Sequence, residues 1–500
     1  MLKPAMIFTS KMVLQRCKPI PVWGDADPGA KVTVTLDGYQ VTAAADSAGC
    51  WKAELPAREA ATGCTMTIAS GDEEFVYPDV CIGEVWLAGG QSNMEYLLGF
   101  EAHYDELLTQ PEDTLLRFFD YPEVSYEGQL ADYHYCHEGF WRSGTREELA
   151  YFSAVGFYFA RELRRSQDVP VGIVGCNWGG TPACAWMDPA YLTGTEAEVI
   201  LQDYARSVEG LDEEQYQKAF RANPGNDRTN MLGDPFAVIG VKNTIPRQEQ
   251  LKIMASMPKG PEPVGPWYER RPGGLYETML KKVHPYGIRG AIWYQGETNS
   301  DYHPETYTTT FSRMIRCWRD LWQEEFPFLF VQLAPFDKWL GCTGENYPII
   351  RACQAQVAKT VPGTWMASIG DAGMQWDIHP KDKRTVGNRL ALLARNHVYG
   401  EPVPCEAPAL LDARKKDGEI TLRFAHGEGL TIRGDALRAM VGVTESGECR
   451  ELTHAEIREN TLILPHCEEI RQLKYAWTGY YEINLFNAAG IPALPFEVTV

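Results

Sequence analysis

The chain has 500 residues, more than one compact core accommodates, so two to four domains are expected. Its 44% hydrophobic and 23% charged content is that of an ordinary folded protein and excludes a disordered chain. With 47 basic against 67 acidic side chains the formal charge is −20, a field that repels nucleic acid and anionic membranes, so neither is an expected partner.

The start, Met1-Leu2-Lys3-Pro4-Ala5-Met6, shows no charged segment followed by a long apolar run, so no signal peptide is read and a cytoplasmic location is the expectation. No apolar stretch approaches the roughly 20 residues of a membrane helix. The 13 cysteines are odd in number and scattered, without a CxxC pair, which fits reduced thiols better than a disulfide framework or a zinc ribbon.

Residues 1 to about 80 read as short strands between turns. Pro21–Gly24 and the alternating run Lys31–Leu36 lead to the hairpin dipeptide Asp37-Gly38, and Thr65–Ile68 precedes a second turn at Gly71-Asp72. The pattern changes at Cys81. Val85–Ala88 is a short apolar run ending in Gly89-Gly90, as a buried strand entering a tight turn would be. Ala154–Arg165, preceded by Ser153, has helical spacing, while Val171–Gly175, Ile288–Tyr294, Phe328–Leu333 and Trp365–Ile369 read as further buried strands. Strands alternating with helical stretches predict a parallel sheet flanked by helices. Residues 195–265 interrupt this pattern and read as an insertion, helical early and loop-like later. After about 400 the β pattern returns in Glu419–Phe424, Leu430–Ile432 and Phe496–Val500. The domains expected are 1–80, a β-sandwich-like domain; 81–400, the catalytic α/β domain with its insertion; and 401–500, a C-terminal β domain.

Reactive groups on such sheets gather at strand C-termini. Gly89-Gly90-Gln91-Ser92-Asn93-Met94 can present a serine Oγ together with its own backbone N–H, although a lone serine there is more commonly a helix N-cap. Cys176-Asn177-Trp178-Gly179-Gly180-Thr181 can bring a backbone N–H close to a reacting carbonyl, or be a plain turn. Trp293–Asn299 offers a side-chain amide at Gln295, with Glu297 and Asn299 beside it. Gly370-Asp371 and Asp377-Ile378-His379-Pro380 can supply an imidazole and acids to orient it, although a lone loop histidine is more commonly a solvated surface group.

Taken together, GQSNM at Gly90–Met94, SAVGFYFARELRR at Ser153–Arg165, WGGT at Trp178–Thr181, WYQGETN at Trp293–Asn299 and DIHPKDKRTVGNRLAL at Asp377–Leu392 resemble the sialate O-acetylesterase family of SGNH hydrolases. MVLQR at Met12–Arg16 and NLFNAAGIPALPF at Asn484–Phe496 resemble its two ends. The resemblance implies a flavodoxin-like parallel sheet flanked by helices, with N-terminal and C-terminal all-β accessory domains. It implies Ser92 as nucleophile, His379 as general base and acid, and an oxyanion hole from the Ser92 and Gly179 N–H groups and the Gln295 side chain. Gln295 stands where most SGNH enzymes use asparagine. The acid partner is Asp377, one residue from His379 where the superfamily usually has two between, with Asp371 and Glu297 as substitutes.

The expected chemistry is two-step acetyl transfer to Ser92 and then to water, with no metal and no organic cofactor. The expected partner is a small acetylated sugar, and the oligomeric state stays open, a homodimer among the options. Sialic acid is the leading substrate, acetylated plant polysaccharide fragments such as xylan the second, and a silent carbohydrate-binding protein the third. An anionic sugar needs a local cation on so acidic a chain. An Arg near Ser92 would therefore favour sialic acid; Arg270-Arg271 could bind a carboxylate, although a solvated loop is the commoner reading of such a pair. His134-Tyr135-Cys136-His137 holds three ligand types, but adjacent residues close a tetrahedral metal site poorly.

Overall fold

The computed structural model describes residues 1–132, 135–222, 232, 241–242, 246–256 and 264–500. Its contacts divide the chain into two units, Met1–Trp293 with Thr310–Phe328, and Tyr294–Thr309 with Leu329–Val500. Each unit mixes sheet and helix and carries an additional all-β region.

The first unit opens with antiparallel hairpins. Lys31–Leu36 pairs with Tyr39–Ala44 across Asp37-Gly38, both at positive φ, the geometry that makes Asp-Gly a two-residue hairpin turn. Strand Ala61–Ser70 pairs with the start of an 18-residue strand, Glu73–Gly90. That long strand explains how the β region and the α/β region join. Its first residues are mostly exposed and pair antiparallel, while from Val80 onward every residue is buried. Its buried half pairs in parallel with Val13–Gln15 and with Val171–Asn177. No break falls at residue 80, and buried hydrogen bonds such as Tyr286 Oη to the Val13 carbonyl (2.7 Å) tie the two regions together.

Around this strand the order is Trp141–Gly144, Asp113–Asp120, Val171–Asn177, Glu73–Gly90, Gly290–Tyr294. Val171–Asn177 pairs in parallel with both of its neighbours, while Trp141–Gly144 runs antiparallel at the edge. Helix Ala154–Gln167 covers the sheet, started by Ser153, whose Oγ accepts from the Gly156 amide (3.0 Å).

The sheet leaves no space at Gly89. A side chain there would begin 2.7 Å from the Trp318 ring and 3.0 Å from the Trp293 ring, two indoles packed edge to face. Gly89→Ala is expected to lower stability by about 1–3 kcal/mol, read as a drop in denaturation midpoint. An unchanged midpoint would show that the indoles shift freely.

In the 195–265 stretch, helices Glu198–Ser207 and Glu213–Arg221 match the early helical reading. The later part differs from the loop expectation in one respect: Arg247–Ser256 is helical, a run free of Gly and Pro that begins just after Pro246. The remainder of that expectation lies outside the described residues.

The second unit takes in strand Phe328–Val331 from Leu329 onward and its neighbour Thr364–Ala367, with helices Tyr347–Thr360 and Lys383–Leu393. Its C-terminal part has two four-stranded sheets, one built on Glu419–Ala425 and one on Ile470–Tyr475. They share a core that includes Leu422, Phe424, Leu473, Tyr475 and Leu485. No helix among the described residues is long and apolar enough to cross a membrane.

Candidate active site

In the first unit, strand Glu73–Gly90 ends at Gly90 (φ +142°), a backbone geometry that only glycine adopts without strain. The chain then enters the short helix Ser92–Glu95. Gln91 is its N-cap. Ser92 is therefore not the N-cap of this helix. Ser92 is half-buried between buried Gln91 and Asn93, at the rim of the sheet.

Strand Val171–Asn177 ends alongside, with Asn177 in register with Gly90 and the Trp178 amide bonded to the Gly90 carbonyl (3.2 Å). This brings Gly179 against Ser92. A Gly179 side chain would begin 3.3 Å from Ser92 Cβ and 3.1 Å from Glu95 Oε2. The structure differs here from the expected oxyanion hole, because the Gly179 amide donates to Glu95 Oε2 at 2.8 Å. Glu95 stands three residues after Ser92, so one helical turn puts both on one face, and a carboxylate takes a nearby amide strongly. Sequence reasoning passed over Glu95; its i+3 spacing from Ser92 was the available signal.

Arg270 lies on the other side of the same two-glycine turn: its Nη2 is 3.1 Å from where a Gly180 side chain would begin. Asp120 is partly buried, and its carboxyl pKa is pushed up to about 6, desolvation and Glu95 outweighing the nearby Arg142 guanidinium.

In the second unit the same local device recurs. Gly296 (φ +145°) turns the chain after Gln295 into the short helix Glu297–Ser300. Gln295 is fully buried; its Nε2 donates to Asn299 Oδ1 (2.8 Å) and its Oε1 accepts from Tyr307 Oη (2.9 Å). These two partners fix which end of the amide is the donor. Glu297 is buried near Tyr294 and Tyr347, whose hydroxyls are held protonated by burial first and by its charge second.

His379 and Asp377 are both buried. The His379 backbone N–H donates to Asp377 Oδ1 (2.8 Å), and the His379 Nδ1 lies 3.6 Å from the same oxygen, an ion-pair distance and longer than a tight hydrogen bond. Lys381 Nζ holds the other oxygen at 2.9 Å. Burial works against the Asp377 carboxylate, but His379 and Lys381 together bring its pKa down to about 2. Burial lowers the His379 pKa, opposed by Asp377, so the imidazole is neutral at neutral pH, as a proton acceptor must be. The Trp339 ring packs edge-on against it at 5.2 Å. Asp371 is instead paired with Arg389 (Oδ2 to Nη2, 2.8 Å), a bidentate contact that accounts for its charge.

Of the cluster at 134–137, His134 lies outside the described residues, Cys136 is exposed and the His137 ring stacks on Tyr151 at 3.9 Å.

The family profile described as carbohydrate esterase, sialic acid-specific acetylesterase, matches residues 241–393. Sialate O-acetylesterase of Rattus norvegicus is 28% identical over 99% of this chain and 94% of its own, and that of Homo sapiens is 25% identical over 98% and 91%. The crystal structure of a carbohydrate acetylesterase from Xanthomonas citri is 31% identical and superimposes with a TM-score of 0.77, covering 99% of both chains. The chain belongs to the sialate O-acetylesterase family of carbohydrate esterases. As such an esterase it hydrolyses an acyl ester on a sugar, which sets aside the silent-binder reading.

Proposed function

We propose that this esterase removes O-acetyl groups from sialic acid. In this reading Ser92 attacks the acetyl carbonyl and His379, oriented by Asp377, takes the serine proton. The Ser92 amide and the Gln295 side chain stabilise the oxyanion. His379 then returns the proton to the departing sugar hydroxyl, and water, activated by the same imidazole, releases acetate. The catalytic sheet is assigned to the flavodoxin-like type. The parallel pairing of Val171–Asn177 with Asp113–Asp120 and Glu73–Gly90 supports this. A cytoplasmic setting belongs to the same proposal and rests on thirteen free thiols, several of them exposed.

The observation that carries the choice of sugar is Arg270. On a chain of charge −20, an anionic substrate needs a local cation, and this guanidinium flanks the turn that also backs Ser92. Arg270→Ala is expected to raise KM for 9-O-acetylated sialic acid about 10- to 100-fold, the range of a charged hydrogen bond. Turnover of 4-nitrophenyl acetate, which has no carboxylate, should stay within about twofold. Equal effects on both esters would remove the argument for an anionic sugar.

One observation favours the second reading, acetylated plant polysaccharide. Trp376 is 47% exposed directly before Asp377, and an exposed indole suits stacking on a neutral sugar ring. Side-by-side rates on acetylated xylan fragments and acetylated sialic acid separate the two.

A further inference from the structure

The last helix of the α/β part and the segment that follows it bring three metal-ligand side chains together, none of them a residue assigned to ester hydrolysis. Helix Lys383–Leu393 continues into one wider turn, Ala394–Val398, which carries His397. The chain then doubles back through Glu401-Pro402-Val403-Pro404 to Cys405 and Glu406. His397 Nε2 lies 2.7 Å from Glu406 Oε1 and 3.5 Å from Cys405 Sγ, and one donor atom from each residue falls within 4.8 Å of the others.

The surroundings hold these groups in place. Asn396 Nδ2 donates to the Val403 carbonyl (2.9 Å) and to the Glu401 carbonyl (3.3 Å). Arg395 Nε donates to Glu401 Oε2 (2.7 Å), and the Glu401 amide donates to the Arg395 carbonyl (2.8 Å). Asn487 Nδ2 holds the Glu406 carbonyl at 3.0 Å. Pro402 and Pro404 restrict φ on both sides of Val403. The imidazole plane is set by Trp365, stacked on it at 4.5 Å and 13°. Cys405 is buried, and His397 and Glu406 are partly so, which leaves an approach from solvent.

We propose that His397, Cys405 and Glu406 bind a zinc ion that staples the end of this helix to the segment leading into the C-terminal sheets. The donor set is nitrogen, thiolate sulfur and carboxylate oxygen, the three types zinc accepts. Zinc bonds of about 2.0–2.1 Å to imidazole and 2.3 Å to thiolate, at a tetrahedral angle, place nitrogen and sulfur about 3.5 Å apart. That is the separation found between His397 Nε2 and Cys405 Sγ. The same construction asks for about 3.3 Å between nitrogen and carboxylate oxygen, so Glu406 opens by about half an ångström as the cation replaces the imidazole hydrogen bond. Three protein donors leave the fourth position to water. The ion has no part in the ester chemistry, so this inference stands or fails separately from the proposed function.

The test uses the full-length protein stripped with chelator and titrated with cobalt(II), a spectroscopic stand-in for zinc. The expected result is one equivalent bound, with a thiolate-to-cobalt charge-transfer band that zinc then abolishes by displacement. Cys405→Ser should remove the band, and His397→Gln should weaken binding at least tenfold. Cys353→Ser, a cysteine of the same unit, should leave both unchanged. Zinc should raise the melting temperature of the wild type and not that of Cys405→Ser. Hydrolysis of 4-nitrophenyl acetate by each variant reports that it is folded, and His397→Gln stands in if Cys405→Ser is not. A wild type without the band, or a Cys405→Ser variant with the wild-type band and affinity, overturns the proposal.

Discussion

Ser92→Ala is expected to lower kcat by about 10⁴–10⁶, on 4-nitrophenyl acetate and on 9-O-acetylated sialic acid alike, with little change in melting temperature. The magnitude follows from what the hydroxyl does. A serine nucleophile and its base act as a unit, and removing either member leaves only the hydrogen bonds to the oxyanion and substrate binding. The small effect on stability follows from position. Ser92 is half-buried at the start of a four-residue helix that Gln91 caps, so loss of one oxygen leaves no cavity. The assay is steady-state hydrolysis in buffer with EDTA, beside a thermal melt. A variant with more than about one-tenth of the wild-type rate would end the nucleophile assignment, because a bystander serine has no route to a large effect.

His379→Ala should cost a similar factor, about 10⁴–10⁶ in kcat, and the pH profile makes that assignment specific. An imidazolium cannot accept the serine proton, so kcat/KM falls as pH drops through the His379 pKa. Burial sets that pKa below the ordinary 6.5, so the wild-type plateau reaches into mildly acidic pH. Asp377 opposes burial, while Lys381 and Lys383 reinforce it. Asp377→Asn removes the opposing hydrogen bond and charge, so the acid limb should move to still lower pH while kcat drops by about 10²–10⁴. An acid limb that moves upward, or does not move, would show that Asp377 does not act on His379.

Stability carries the opposite signature. The folded pKa of Asp377, about 2, lies below its ordinary 3.8. Its contribution is therefore complete above about 3.8 and lost as pH falls towards 2. Asp377→Asn should flatten the acid-stability curve in that window, as followed by melts across pH.

Much of the fold was legible because local chemistry decided it. Asp37-Gly38 marks a hairpin by turn geometry alone, Ser153 caps the helix it precedes, and Val171–Gly175 is apolar throughout because both faces of that strand are covered. The continuity across residue 80 was not legible. A change of pattern marked Cys81, yet Glu73–Gly90 runs through as one strand, and only its pairing partners change, from antiparallel to parallel. Pairing partners are remote in sequence, so no local pattern encodes them. Helix Arg247–Ser256 was hidden among neighbouring prolines and glycines that read as loop.

The sites divide along the same line. The chain by itself pointed to Ser92, Gln295, Asp377 and His379, through their places after buried strands and through the family resemblance of the motifs that carry them, both written in consecutive residues. What occupies each hydrogen bond was decided by the tertiary structure. Gly179 gives its amide to Glu95, Asn299 and Tyr307 orient Gln295, Asp371 is held by Arg389, and Arg270 arrives beside Gly180 from 90 positions along the chain. His397, Cys405 and Glu406 meet only because the chain reverses after Val398. Residue type and turn chemistry act over a few positions and can be read in order. Hydrogen-bond partnership and charge balance depend on distances through space, and only the folded chain sets those.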